Sequence, residues 1–209
     1  MRFAVVGSAH PHIKEFIEDM LANKGEFVGI YNDGYSICKD IAQEYSVSLF
    51  DNIDKLMQQD IEVAGTAAVN YKKIDMIQKC NQYGVHILAD KPIVVNQKQF
   101  QRLKDIINQG KIEVGLMLTV RFMDPIYTVK KLIDDNRIGK LLSLEIFSPH
   151  SLHPETRPDW HFDKEKNGGI VVDLMIHSVD LYNWLTDSKI SDFKGTVQKS
   201  ILPDKKDFY

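Results

Sequence analysis

Six short apolar runs, spaced by amphipathic segments of helical length, fill residues 1–118, and this alternation constrains the fold more than any other feature. Arg2–Val6 reads as a buried strand that stops at Gly7. Pro11 suits a first helical position, and Ile13, Phe16, Ile17, Met20 and Leu21 then recur at helical spacing. Phe27–Tyr31 is the second strand, closed by the turn residues Asn32-Asp33-Gly34. A helix over Ile37–Tyr45, a strand over Ser46–Phe50 and a helical turn over Ile53–Gln58 follow. Ile61–Ala68, Val85–Leu88 and Ile112–Leu118 complete the strands. Between them lie helices over Tyr71–Tyr83, capped by Gly84, and Gln97–Asn108, ending at Gly110. Strands and helices alternating in this way predict right-handed crossovers and a parallel sheet covered on both faces. In such a doubly wound α/β sheet, ligands sit at the carboxyl ends of the strands.

Past residue 120 the rhythm changes. Ile126–Asp135 reads as a helix, Lys140–Pro149 as a long strand, and 151–167 as a polar loop. A helix is expected over Ile170–Leu185 and another strand over Ile190–Leu202. The expected organisation is a first domain over 1–120 and an α+β second domain over 121–209.

Composition bounds the partners. The 209 residues carry a net charge of -3, which gives no electrostatic case for nucleic acid or for an anionic membrane surface. Cys38 and Cys80 stand outside any CxxC spacing and are expected as free thiols packed like small hydrophobes in a reducing compartment. Neither a signal-peptide pattern nor an apolar run of membrane-spanning length is evident, so a cytoplasmic protein is expected.

Two motifs carry chemistry. In Asn167-Gly168-Gly169-Ile170-Val171-Val172-Asp173-Leu174-Met175-Ile176-His177, the carboxylate and imidazole fall four residues apart, on one face of the expected helix. Histidine titrates near neutral pH and can exchange a proton with a substrate hydroxyl, although a polar stripe on an amphipathic helix has the same spacing. The turn Gly7-Ser8-Ala9-His10-Pro11-His12 follows the first strand, where a dinucleotide fingerprint has glycine at the places of Gly7, Ala9 and His12. Ala9 is small enough for a close approach of backbone to diphosphate, whereas His12 is bulky. Helix N-terminal amides, with His10 or His12 as added donors, remain available for phosphate. Asn32 or Asp33 occupies the place of the acidic residue that holds the adenosine ribose, and the spacing does not choose between them.

With Ala89-Asp90-Lys91-Pro92, Arg121-Phe122-Met123-Asp124-Pro125, Ile138-Gly139-Lys140 and Arg157-Pro158-Asp159-Trp160-His161, these segments resemble, in order, the glucose–fructose oxidoreductase, inositol dehydrogenase and MocA (Gfo/Idh/MocA) family of NAD(P)-dependent oxidoreductases. The resemblance implies an N-terminal Rossmann domain followed by a domain with a large, mostly antiparallel sheet. Family members are longer, so the chain reads as truncated within that sheet. The resemblance further implies hydride transfer between a nicotinamide cofactor, NAD with NADP as the alternative, and a secondary alcohol of a sugar, cyclitol or related polyol. His177 is then the base, Asp173 binds hydroxyls or orients the imidazole, and Lys91 stabilises charge at the reacting oxygen. Gly7, Ser8, Ala9, His10, His12, Asn32, Asp33, Ala68, Asn70, Asp90 and Lys91 are expected at the cofactor. Asn70 has a second reading as a helix cap. Arg121, Arg157, Trp160 and His161 are expected at the substrate, with a surface loop as the alternative for the last three. A homo-dimer or homo-tetramer through the second-domain sheet is implied by resemblance alone.

The sequence departs from the family pattern at His12, at Asp90 in place of glutamate, and at Ala67-Ala68-Val69-Asn70, which lacks a proline. Two rival readings follow. One is a non-catalytic nucleotide-binding sensor that kept the fold; the other is a metal-dependent enzyme using His150, His153, His161, Asp173 and His177. The spacing of that cluster matches no closed tetrahedral site, and no metal is expected.

Overall fold

The computed structural model describes residues 1–151 and 153–196. Six strands, β1 (Arg2–Val5), β2 (Glu26–Tyr31), β3 (Ser48–Phe50), β4 (Val63–Thr66), β5 (His86–Asp90) and β6 (Val114–Met117), form one sheet in the order β3-β2-β1-β4-β5-β6. Every pairing is parallel. This is the doubly wound Rossmann order that the alternation predicts, and it gathers the carboxyl ends of all six strands along one edge.

The helices between the strands are α1 (Ile13–Ala22), α2 (Ser36–Glu44), α3 (Ile53–Met57), α4 (Lys73–Tyr83) and α5 (Gln97–Asn108). Side chains alternate across a strand, so central β1 feeds both faces. Ala4 joins Leu56, Ile74, Ile77, Cys80 and Ile106 in one core, while Phe3 and Val5 join Ile13, Phe16, Ile17, Ile30, Cys38 and Ile41 in the other. The two cysteines are free and buried, one in each core. Phe16 of α1 packs directly over Gly65 on β4: a Cβ there would stand 2.3 Å from Cδ1 of Phe16. Local signals set the helix ends. Asn52 and Asn96 accept main-chain hydrogen bonds at the starts of α3 and α5, and Gly84 closes α4 with a φ of 70°.

Chain contacts separate two compact units, Met1–Met117 with Glu165–Gly168, and Leu118–Lys164 with the residues from Gly169 on. The second unit is helical among its described residues: α6 (Asp124–Asp134), α8 (Ile170–Asp173) and α9 (Met175–Thr186), with 3-10 turns over Thr119–Phe122 and Asp159–Phe162. A short α7 covers Lys164–Asn167. Arg121 forks onto Asp180 of α9, its Nε donating to Oδ2 at 2.6 Å, and its guanidinium lies 5.6 Å from the Trp184 ring.

Three expectations are corrected here. Lys140–Pro149 forms no strand, although Leu142, Leu144 and Ile146 alternate as a strand would. A strand is defined by partners for its N–H and C=O groups, and no described segment supplies them, so Leu142 and Phe147 stand 87% and 91% exposed. Residues 190–196 are likewise irregular, and the rest of the expected strand over Ile190–Leu202 lies outside the described residues. The antiparallel sheet implied for this unit is therefore not formed among the described residues. The helix expected over Ile170–Leu185 is in two pieces. At Leu174 φ is -105° and His177 N–H bonds the Leu174 carbonyl at 3.3 Å, a tightened turn that interrupts the α-helical ladder. Asp173 and His177 thus occupy successive helical segments rather than one continuous face.

Candidate functional site

In the first unit, the candidate residues lie at the carboxyl ends of β1, β2, β4 and β5. The turn after β1 is laced to the exit of β4. Ala67 N–H donates to the Gly7 carbonyl at 2.8 Å, and His10 N–H donates to the Ala67 carbonyl at 3.1 Å. A Cβ on Gly7 would fall 2.5 Å from Cβ of Ala68 and 2.8 Å from Oγ1 of Thr66, so no other residue lets these two loops close. Ala68 is buried beneath the turn, and Ala9 is half-exposed on it.

Asn32 and Asp33 have different partners. Asp33 turns toward the glycine loop, where its Oδ2 accepts Ser8 N–H at 2.6 Å and its Oδ1 accepts the Ser8 hydroxyl at 3.2 Å. Asn32 turns the other way and donates to Asp51 Oδ1 at 2.8 Å.

His12 immediately precedes α1 and makes no side-chain cap to it. Its ring instead reaches across the sheet edge, with Nδ1 3.1 Å from Asp90 Oδ1. His10 packs against it, ring centroids 4.0 Å apart, and its Nδ1 lies 4.0 Å from Asp90 Oδ2. Burial, reinforced by the charge of His12, pushes the His10 imidazole down to about 4, which keeps it neutral at physiological pH. Burial works against ionisation of Asp90, but the His12 hydrogen bond and the charge of Lys73 outweigh it and hold the carboxyl below the usual range.

Sequence reasoning missed Lys73. Its ammonium is fully buried and donates to Asn70 Oδ1 (2.9 Å) and to the carbonyls of Asp90 (2.9 Å), Lys91 (3.2 Å) and Pro92 (3.2 Å). Nζ also stands 3.8 Å from Asp90 Oδ2. A buried cation survives only with such partners. The signal was its place on α4: Lys73 shares a face with Ile77 and Cys80, so a lysine occupies a core-facing position at the helix start. Asn70 makes no capping bond. It accepts from Lys73 and donates to the Asn167 carbonyl at 3.1 Å. Lys91 follows Asp90 directly, is half-buried, and its peptide bond to Pro92 is cis.

In the second unit, Trp160, His161 and Asp173 are buried and His177 is half-buried on α9. Arg157 Nη1 donates to His161 Nε2 at 2.9 Å, and His161 Nε2 lies 3.8 Å from Asp173 Oδ2. The segment expected as a loop thus brings Arg157, His161 and Asp173 together, with the Trp160 ring 5.6 Å from that of His161. Arg121, expected at substrate, is engaged with Asp180. His150 and His153 are exposed, so the rival metal cluster of five residues does not assemble. Among the described residues, the group of three or more metal-ligating side chains is a different one, His10, His12 and Asp90.

The first-unit geometry fits a dinucleotide in its main parts. The Gly7 turn is closed to any Cβ, Ala9 is small, and an acid stands beyond β2 facing the turn. It departs from the fingerprint at His12, and the Ser8 and His10 amides already have acceptors in Asp33 and Ala67.

Comparison with known proteins agrees with this architecture. Residues 1–116 match the family model of an oxidoreductase family with an NAD-binding Rossmann fold, and residues 126–207 match the GFO/IDH/MocA C-terminal domain. Glucose-6-phosphate 3-dehydrogenase of Bacillus subtilis is 24% identical over 167 residues, covering 78% of this chain and 47% of its own length. The chain therefore spans about half the length of the curated relatives it matches. The solved structure of an Erwinia carotovora atroseptica protein superposes with a TM-score of 0.83 at 21% identity, over 90% of this chain and 57% of that one. The WlbA dehydrogenase of Bordetella pertussis, solved in complex with NADH and UDP-GlcNAcA, gives a TM-score of 0.74 at 19% identity, over 88% and 55%.

Proposed function

Because the chain belongs to the Gfo/Idh/MocA family of oxidoreductases with an NAD-binding Rossmann fold, we propose that it binds a nicotinamide dinucleotide and acts on a secondary alcohol of a sugar, cyclitol or related polyol. The observation that carries this reading is the 3.1 Å contact of His12 with Asp90, which brings the turn after β1 and the Asp90-Lys91-Pro92 segment to one point on the strand ends. In a doubly wound sheet that edge is where ligands bind.

Gly7, Ser8, Ala9, His10 and His12 would hold the diphosphate, and Asp33 the adenosine ribose. Ala68, Asn70, Asp90 and Lys91 would line the nicotinamide half. Asp33 favours NAD, since a carboxylate repels the 2′-phosphate of NADP. The bound cofactor supplies hydride acceptance and donation. The chain supplies the rest. His177 takes the hydroxyl proton of the alcohol, Asp173 orients the imidazole or a substrate hydroxyl, and the Lys91 ammonium stabilises negative charge developing on the oxygen. Arg157, Trp160 and His161 would bind substrate hydroxyls from the buried turn that carries them. The domain boundary near residue 120 separates these two sets of duties, and the protein is proposed to work in the cytoplasm. Among the described residues, no helix is long and apolar enough to cross a membrane.

The test is a titration of the purified chain with NADH and NADPH, followed by nicotinamide fluorescence. Saturable binding with NADH preferred is the expected result. Failure of a folded chain to bind either would overturn the reading.

A further inference from the structure

His10 and His12 bracket Pro11 in the turn before α1, and Asp90 ends β5, two strands away in the sheet. Their ligand atoms all lie within 4.8 Å of one another. The carboxylate divides between the two rings, Oδ1 at 3.1 Å from His12 Nδ1 and Oδ2 at 4.0 Å from His10 Nδ1. Two donors that each bond an ion at roughly 2.0–2.2 Å stand no more than about 4.4 Å apart, so both separations can be bridged with a small rotation of the rings.

We propose that His10, His12 and Asp90 form a binding site for one divalent transition-metal ion of the zinc, cobalt or nickel class. Two imidazoles and one carboxylate are the donor set such ions take, and three protein ligands leave a position open for water or another oxygen donor. Formation of the site replaces the His12–Asp90 hydrogen bond by two bonds to the ion, releasing any proton shared by that pair, and coordination by His10 Nδ1 displaces the His12 main-chain N–H that it accepts at 3.3 Å.

The surrounding charge decides which ions are accepted. Lys73 stands 3.8 Å from Asp90 Oδ2 and offsets its charge, and Lys91 adds a further positive charge near His10. An incoming cation therefore gains little from simple attraction to the pocket. Its affinity must come from coordination by nitrogen, which Mg²⁺ and Ca²⁺ use poorly. The site selects by ligand chemistry rather than by charge. The inference does not depend on the dinucleotide reading, because the three side chains converge without any nucleotide.

The experiment uses the full chain stripped with chelator. Co²⁺ is titrated while visible ligand-field absorption is recorded, and Zn²⁺ and Mg²⁺ are compared by calorimetry. One Co²⁺ per chain is expected, displaced by Zn²⁺ and unaffected by excess Mg²⁺. His10→Ala and His12→Ala should each weaken binding at least about tenfold, while His153→Ala on the exposed loop leaves it unchanged. Should the variants fold poorly, the unaltered chain still decides the matter. Zn²⁺ should protect His10 and His12 from diethyl pyrocarbonate, as mapped by mass spectrometry. Absence of a Co²⁺ spectrum, binding without that protection, or Mg²⁺ competing equally would overturn the proposal.

Discussion

Lys73 Nζ donates to the main-chain carbonyl of Asp90 at 2.9 Å, from a position with no exposure to solvent. The same ammonium holds the next two carbonyls, so a single side chain from α4 fixes the path of the backbone that carries Lys91. Replacing it by a methionine of similar length leaves these buried acceptors without their donor and Asp90 without its nearest fixed positive charge. Lys73→Met should lower stability by about 3 kcal/mol, seen as a lower denaturation midpoint at unchanged slope. A loss below about 0.5 kcal/mol would mean that water replaces the ammonium freely.

Gly7 separates folding from ligand binding. An added methyl group meets Ala68 at 2.5 Å, so the turn must move off the end of β4. Gly7→Ala should weaken NADH binding at least about tenfold, or 1.4 kcal/mol, while the chain still unfolds cooperatively. Unchanged affinity would show that this turn does not contact the nucleotide.

The proposed proton-transfer roles predict a characteristic kinetic pattern. Lys91→Ala and His177→Ala should each reduce kcat by roughly 10²–10⁴-fold on any polyol the unaltered protein turns over, with NADH affinity little changed. Parallel loss of NADH binding in both variants would reassign them to holding the cofactor.

Both thiols should be silent in the folded chain. Burial pushes the Cys80 thiol from 9.0 up to about 12 and raises that of Cys38. Because the folded pKa of Cys80 is raised, the folded state keeps protons that the unfolded chain has already released. Stability is then unaffected below about pH 9 and falls as the pH rises from 9 toward 12. Alkaline denaturation should follow that window, and Cys80→Ala should flatten it. Reaction of either thiol with a disulfide reagent at pH 8 before unfolding would contradict the packing.

The first half of the molecule was legible because each of its elements buries a regular pattern. Ile74, Ile77 and Cys80 mark the inner face of α4, and the alternation of Phe3, Ala4 and Val5 serves both faces of the sheet. The second half was not, because apolar alternation specifies a strand only when a neighbouring strand exists to meet it. Leu142, Leu144 and Ile146 have the pattern without a partner among the described residues. The candidate residues divide in the same way. Gly7 and Lys91 were visible as motifs, whereas the meeting of His12 with Asp90 joins positions 78 residues apart that only the strand order brings together. Lys73 stands next to Lys72 in the sequence, yet the first is buried and the second exposed.

The contact of Phe16 with Gly65 also bears on how this sequence can change. The aromatic ring fills the volume that any side chain at position 65 would need, so the two sites behave as one choice made jointly. Gly65→Ala alone should destabilise the chain by about 1–3 kcal/mol. The same substitution beside Phe16→Leu should cost less than the sum of the two single changes, as a double-mutant cycle would measure. A substitution acceptable at either position in a relative is therefore informative here only when the residue at the other position is read with it.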